Sequence, residues 1–186
     1  MSLDKIAVEV GQCTKCALQK NRQHAVPGEG SSKAEILLIG EGPGSNEDRE
    51  GRPFVGEAGK FLDELLALIN LRREDVYITN VVKCRPPNNR DPLEEEVDVC
   101  TRNYLFRQLK EIKPRLIVTL GRHSMHVFFP QIRSISAVAG KAYKKAGQVY
   151  LICYHPAAAI YQQNLKTKIK DDFKQIPEIL RQIDAK

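Results

Sequence analysis

Two hydrophobic periods run along this chain. The segment AEILLIG (34–40) is a short continuous apolar run closed by glycine, which predicts a strand buried on both faces. A loop dense in Gly, Pro and charge follows, EGPGSNEDREGRPFVG. In AGKFLDELLALINL, residues Phe61, Leu62, Leu65, Leu66 and Ile69 recur at helical spacing. VYITN (76–80) predicts a second strand. Residues 93–112 predict a helix, opened by Asp91-Pro92 with proline in the first turn. PRLIVTLG (114–121) predicts a third strand and RHSMHVFF a short helix. KAYKKAGQVYLICYHP holds a hairpin-like Ala146-Gly147 turn and a last core strand. LKTKIKDDFKQIPEILRQIDAK is an amphipathic C-terminal helix that Pro177 bends or splits. This alternation is that of an α/β protein. Sheets of that kind bind ligands at the carboxyl ends of their strands, which singles out the 40–44 loop, Asn80 and His155.

Composition narrows the partner. At 186 residues the chain has the length of one domain with one core. Hydrophobic residues make up 42% and charged residues 28%, the balance of a globular protein. Lys and Arg exceed Asp and Glu by 29 − 23 = 6, so an anionic partner is favoured and nucleic acid comes first. No apolar run approaches the roughly 18 residues of a membrane span. The N-terminal stretch MSLDKIAVEVGQCTKCALQK has no signal-like apolar core, so the expected location is cytoplasmic or nuclear, with cytoplasmic preferred. Structural disulfides are rare there, so the five cysteines need another explanation.

Cys13 and Cys16 form a C-x-x-C pair in a polar stretch, while Cys84 and Cys100 stand alone, 100 − 84 = 16 positions apart. Four thiolates suit zinc or an iron–sulfur cluster. The split of the second pair favours a cluster over a zinc ribbon. The bland alternative is four unrelated buried thiols. A thioredoxin-like motif fits poorly, since no strand precedes the pair. Cys153, in the apolar run VYLICY, reads as core.

Several residues at strand ends carry candidate chemistry. GEGPG (40–44) lets the backbone approach a ligand closely. It is neither a Walker A loop nor a dinucleotide fingerprint, because no G-K-[ST] and no third glycine follow, and an acidic loop stands in place of a helix. Phe54 in GRPFVG is a core plug or a stacking platform. Asn80 is a turn former or a reader of a nucleobase edge, with one acceptor and two donors. His155 is structural or donates to developing negative charge. His24 lacks such context, and His123 and His126, with no carboxylate partner at useful spacing, read as helix surface and edge.

The combination is more specific than any block. GEGPG, GRPFVG, TNVVKCRPP and YHPAA, in this order and threaded with the four cysteines, resemble the family-four uracil-DNA glycosylases, the iron–sulfur members of that superfamily. The resemblance runs from about Cys13 to Ile160. It implies a three-layer α/β/α sandwich, and with the strands read above the central sheet is expected to be four-stranded and mainly parallel. It implies that Cys13, Cys16, Cys84 and Cys100 hold a [4Fe–4S] cluster, with zinc the alternative. The role assigned to that cluster is structural, tying the N-terminus to the sheet, with a redox role the alternative. By the same resemblance Gly40, Glu41 and Gly42 line the uracil pocket, Phe54 stacks on the flipped base, Asn80 reads the uracil edge and His155 sits beside O2. Glu47 falls near the base and the attacking water. Gly42 and Gly44 stand where better-known relatives carry a water-positioning aspartate and a thymine-excluding aromatic. Glu41 and Glu47 are then the candidate catalytic groups beside His155.

The implied partner is uracil-containing DNA, bound by a monomer without a membrane. Ile160 or Tyr161 is expected to wedge into the duplex, and Arg85, Lys141, Lys144, Lys145, Lys166, Lys168 and Lys170 are candidates for phosphate contacts. No basic insert of the kind found in covalently DNA-trapping relatives is present, so hydrolysis without an adduct is expected. The competing readings are a non-catalytic DNA-binding module, which needs no Phe54, Asn80 and His155 together, and a mononucleotide-processing α/β protein, against which the acidic run at 47–50 argues.

Overall fold

The computed structural model describes residues 2–185. In chain order the elements are α1 (Leu3–Gly11), β1 (Glu29–Gly30), β2 (Ile36–Gly40), α2 (Ser45–Glu50), α3 (Glu57–Ala67), β3 (Tyr77–Asn80) and α4 (Glu94–Cys100). There follow α5 (Phe106–Ile112), β4 (Leu116–Leu120), α6 (Arg122–Phe128), β5 (Ala142–Lys145), β6 (Gln148–Cys153), α7 (Pro156–Tyr161), α8 (Gln163–Lys174) and α9 (Ile176–Asp184). The strands form one sheet in the order β1-β3-β2-β4-β6-β5. The inner four are mutually parallel, and β1 and β5 add antiparallel edges.

Strand periodicity divides the core in two. Leu37 and Ile39 of β2 point to one face, where α1, α5 and α6 contribute Ile6, Val10, Ile112 and Met125. Ile36 and Leu38 point to the other, against Leu62 and Leu65 of α3 and Phe173 of α8. Helices therefore cover both faces, which is why the inner strands are mostly apolar and almost wholly buried. The path out of β2 leads to β3 and that out of β4 to β6, on opposite sides. The carboxyl ends of β2 and β4 thus flank a topological switch point, the usual crevice for a ligand.

The expected four-stranded sheet falls short by the two edges. β1 is only two residues long, too short for any periodicity, and β5 (AYKK) is largely exposed, a lysine-rich edge of the kind that resists further pairing. The acidic segment after the 40–44 loop is helical, contrary to the loop expected: α2 starts at Ser45 and closes on Gly51 in the left-handed conformation. The 93–112 helix forms, with a π turn at Thr101–Leu105 directly after Cys100. Pro177 splits the C-terminal helix, lying in the first turn of α9 where its missing N–H costs nothing.

Candidate active site and cysteine centre

A cleft of about 320 Å³ opens at the carboxyl ends of the strands, and Glu41, Gly42, Glu47, Phe54, Asn80 and His155 all line it. Gly40 lies behind this wall. A Cβ there would stand 2.4 Å from Asn80 Oδ1 and 2.6 Å from Phe54 Cζ, so only glycine lets the amide and the ring share the wall.

Phe54 is buried and holds φ of +53°, an uncommon conformation for a bulky residue. Its loop is held from two sides. Arg73 donates to the carbonyls of Pro53 (2.5 Å) and Phe54 (3.1 Å) and is itself paired with Glu29 and Asp63. The Glu47 carboxylate accepts the backbone N–H groups of Gly44 (3.0 Å), Val55 (2.9 Å) and Gly56 (3.0 Å). Glu47 therefore binds the first glycine loop to the Phe54 loop. The Phe54 ring stacks on His155, with centroids 5.5 Å apart and planes 24° from parallel.

Asn80, the last residue of β3, is buried, and its Oδ1 has no hydrogen-bond partner. A buried amide oxygen left empty costs about 1–3 kcal/mol, which a donor on a ligand recovers. His155 caps α7, accepting the Ala157 N–H at Nδ1 (3.1 Å). Burial pulls its imidazole down to about 4, against the opposing charge of Glu47. A neutral ring that accepts at Nδ1 carries its proton on Nε2, so His155 is a neutral donor.

His123 is not the helix-surface residue expected from sequence. Its Nε2 lies 3.3 Å from Asp91 and 3.6 Å from Glu41, and Arg122 pairs with Asp91. Burial raises the Glu41 carboxyl, His123 opposes that shift, Asp91 reinforces it and Arg122 opposes it. Among the described residues Glu41, Asp91 and His123 are the group whose ligand atoms all fall within 4.8 Å of one another, but Asp91 is already paired with the Arg122 guanidinium. The one available sequence signal was position: His123 follows β4 at the same sheet end as Glu41 follows β2.

The cysteine centre lies beyond the other end of the five-residue stretch 80–84. Cys84 and Cys100 are buried, and Cys13 and Cys16 pack against the same core cluster. All are free thiols. Burial pushes Cys100 up to about 12, opposed by Lys83, and raises Cys84, opposed by Arg22. Arg22 donates to Cys84 Sγ (3.1 Å) and the Lys83 backbone N–H to Cys100 Sγ (3.3 Å), contacts that favour thiolate. No three of these sulfurs lie within 4.8 Å of one another. Tetrahedral zinc with Zn–S near 2.3 Å needs its sulfurs about 3.8 Å apart, closer than any three stand here, while four thiols gathered on one core cluster suit a metal centre with sulfur ligands. Cys153 is buried in β6, outside the set.

Lys83 is the other residue that sequence reasoning missed. It is buried completely, and its Nζ donates to Thr79 Oγ1 (2.5 Å), the Asn80 carbonyl (2.7 Å) and Gln108 Oε1 (2.7 Å). Burial pulls its ammonium down to about 8.

The expected DNA contacts divide by location. Ile160 and Tyr161 are exposed at the end of α7, the helix that His155 opens. Arg85 donates to Asn89, which lines the cleft. Lys166 and Lys170 approach Glu64, and Lys168 lies over the Tyr154 ring. Lys144 and Lys145 pair with Val149 and Gln148 at the start of β6, the end of the sheet remote from the cleft.

Comparison with known proteins matches this chain over the same elements. A family model for the uracil DNA glycosylase superfamily matches residues 27–181. A type-4 uracil-DNA glycosylase from Sulfurisphaera tokodaii is 51% identical over 187 residues, 96% of this chain and 84% of the relative. One from Archaeoglobus fulgidus is 51% identical over 96% of this chain and 93% of the relative. A solution NMR structure of a candidate uracil DNA glycosylase from Methanosarcina acetivorans shares the fold, with TM-score 0.51 and 18% identity over 83% of this chain and 98% of that one. The strand-end cleft, the four free thiols and half-identity along nearly the whole length converge: the chain belongs to the uracil DNA glycosylase superfamily, on its type-4 branch.

Proposed function

We infer that this protein is a single-domain, monofunctional uracil-DNA glycosylase that hydrolyses the N-glycosidic bond of uracil in DNA and so starts base-excision repair. The observation that carries the reading is the pairing of an empty, buried Asn80 Oδ1 with a neutral His155 donor in one cleft beside Phe54. The target nucleotide must leave the duplex, at a cost of a few kcal/mol. Stacking on Phe54 and phosphate contacts offset that cost. Asn80 accepts uracil N3–H and donates to O4. Cytosine offers the opposite pattern there and leaves buried groups unpaired. As the bond breaks, negative charge grows on the base, and His155 donates to O2. One such donor is worth about 2.7–4 kcal/mol in the transition state.

Glu41, with its carboxyl raised by burial, is the group assigned to the attacking water, which reaches C1′ of the sugar. Glu47, whose oxygens accept three backbone N–H groups, shapes the wall and adds negative charge near the sugar. Thymine differs by one methyl, so its exclusion is steric. Cys13, Cys16, Cys84 and Cys100 are assigned to a [4Fe–4S] cluster, which when bound supplies a covalent tie between the N-terminal arm and the strand end. The reading also includes a monomer that works on DNA in the cytoplasm.

The test is an excision assay at low salt on an oligonucleotide with a single deoxyuridine, beside a thymine control. Cleavage at uracil alone, lost in Asn80→Ala and His155→Ala, is expected. Iron-loaded protein that releases no uracil overturns the reading in favour of a DNA-binding module.

A further inference from the structure

Lys83 lies between the two sites and touches both. Its backbone N–H donates to Cys100 Sγ, and the next residue is Cys84. Its Nζ donates to the Asn80 carbonyl. That carbonyl belongs to the peptide whose N–H, from Val81, donates to Gly40 O (3.0 Å). The following Val82 N–H donates to Glu41 O (3.0 Å). One ammonium thus fixes the peptide plane that carries Asn80 and, through it, the first loop of the cleft. The remaining partners, Thr79 Oγ1 and Gln108 Oε1, are neutral, buried and themselves bonded to Pro27 O.

The charge is the unusual part. A fully buried lysine normally has an anionic partner. Among the described residues no carboxylate lies within ion-pair distance of Lys83 Nζ, whose acceptors are all neutral, and the acidic side chain that this residue touches is Cys100, through the backbone N–H. Four thiolates around iron carry net negative charge, and an enclosed cation beside them balances it.

We propose that Lys83 is a positioning residue that joins the cysteine centre to the uracil reader, balancing the charge of the metal-bound sulfurs while clamping the Asn80 peptide. The proposal rests on the assignments of Asn80 and of the four cysteines made above. It has two consequences. Loss of the metal leaves an unbalanced buried cation under Asn80, so uracil selectivity decays before the fold does. Loss of the Lys83 charge acts in the other direction, on the metal.

The experiment compares wild type with Lys83→Met and Thr79→Val, each checked for iron content and visible absorbance. Loaded K83M is expected to lose at least tenfold in kcat/KM on deoxyuridine DNA and to narrow the gap between uracil and cytosine. Its cluster midpoint potential is expected to shift downward, because a nearby cation favours the reduced, more negative state. T79V removes one Nζ acceptor and keeps the charge, and Pro27 O retains its Gln108 donor. It is expected to lose about threefold or more in kcat/KM with an unchanged midpoint. Loaded K83M with wild-type selectivity and wild-type midpoint overturns the proposal. Where K83M fails to fold or to load, T79V decides: wild-type kinetics in loaded T79V overturn it equally. Wild type that lacks iron or uracil excision removes the underlying assignments instead, so the two failures are distinguishable.

Discussion

The cleft and the cysteine centre are joined by residues 80–84 and solve opposite problems. In the cleft, polar groups are left open. Asn80 Oδ1 has no partner, His155 is desolvated below its ordinary range, and Phe54 is held at positive φ. Each costs stability, and a ligand that donates to Asn80 recovers part of it, which is the mark of a site built to receive something. At the cysteine centre the polar groups are closed. Sulfurs accept from Arg22 and Lys83, and the Lys83 ammonium has three acceptors. The first region trades stability for recognition, and the second supplies part of the stability that is traded.

The largest effect expected from that contrast is on stability. Cys100→Ala abolishes iron binding and lowers the thermal midpoint by about 10 °C or more, since each kcal/mol lost in a chain of this size is worth about 2–4 °C. Asn80→Ala moves the midpoint by no more than about 2 °C. Equal shifts in a melting comparison break the contrast.

The second effect is on catalysis. Asn80→Ala lowers kcat/KM about 10²–10³-fold, the scale of one lost transition-state partner. Single-turnover rates on deoxyuridine DNA measure it, and a loss under threefold removes Asn80 from the reaction.

Arg73→Met sharpens the comparison, because Arg73 never reaches the cleft. It frees the carbonyls of Pro53 and Phe54 and relaxes the strained loop. About tenfold loss in kcat/KM is expected with iron content unchanged. Co-loss of iron in a metal assay shows the two regions to be one unit on that side as well.

The smallest effect is the acid response. His155 takes its proton near 4 in the folded chain and near 6.5 when unfolded. Between those values the unfolded state binds more protons, so the stability that comes from keeping His155 neutral is present above about 6.5 and is lost as pH falls toward 4. At pH 5.5 nearly all folded His155 is still neutral, so its protonation changes the excision rate by less than about 10% relative to pH 7.5. A ring-proton NMR titration with a midpoint near 6.5 breaks this account.

How much of this was legible varied with distance along the chain. β2, β3, β4 and β6 were readable because a strand buried on both faces is apolar by itself. The two-residue β1 and the short α2 were not, because neither is long enough to show a period. The cysteine spacing showed four thiols but not their separation.

What the sequence determined by itself is local: the periodic strands and helices, the glycines of the 40–44 loop, the cysteine pair and the order of the four motif blocks. Which groups face one another was decided only by the tertiary structure. His123 meets Glu41 across a gap of 82 positions, Lys83 meets Gln108 across 25, and Glu47 meets Gly56 across nine. A hydrogen bond or a charge balance depends on the distance between two atoms. That distance is set by how the sheet orders its strands, which no local pattern of residues encodes.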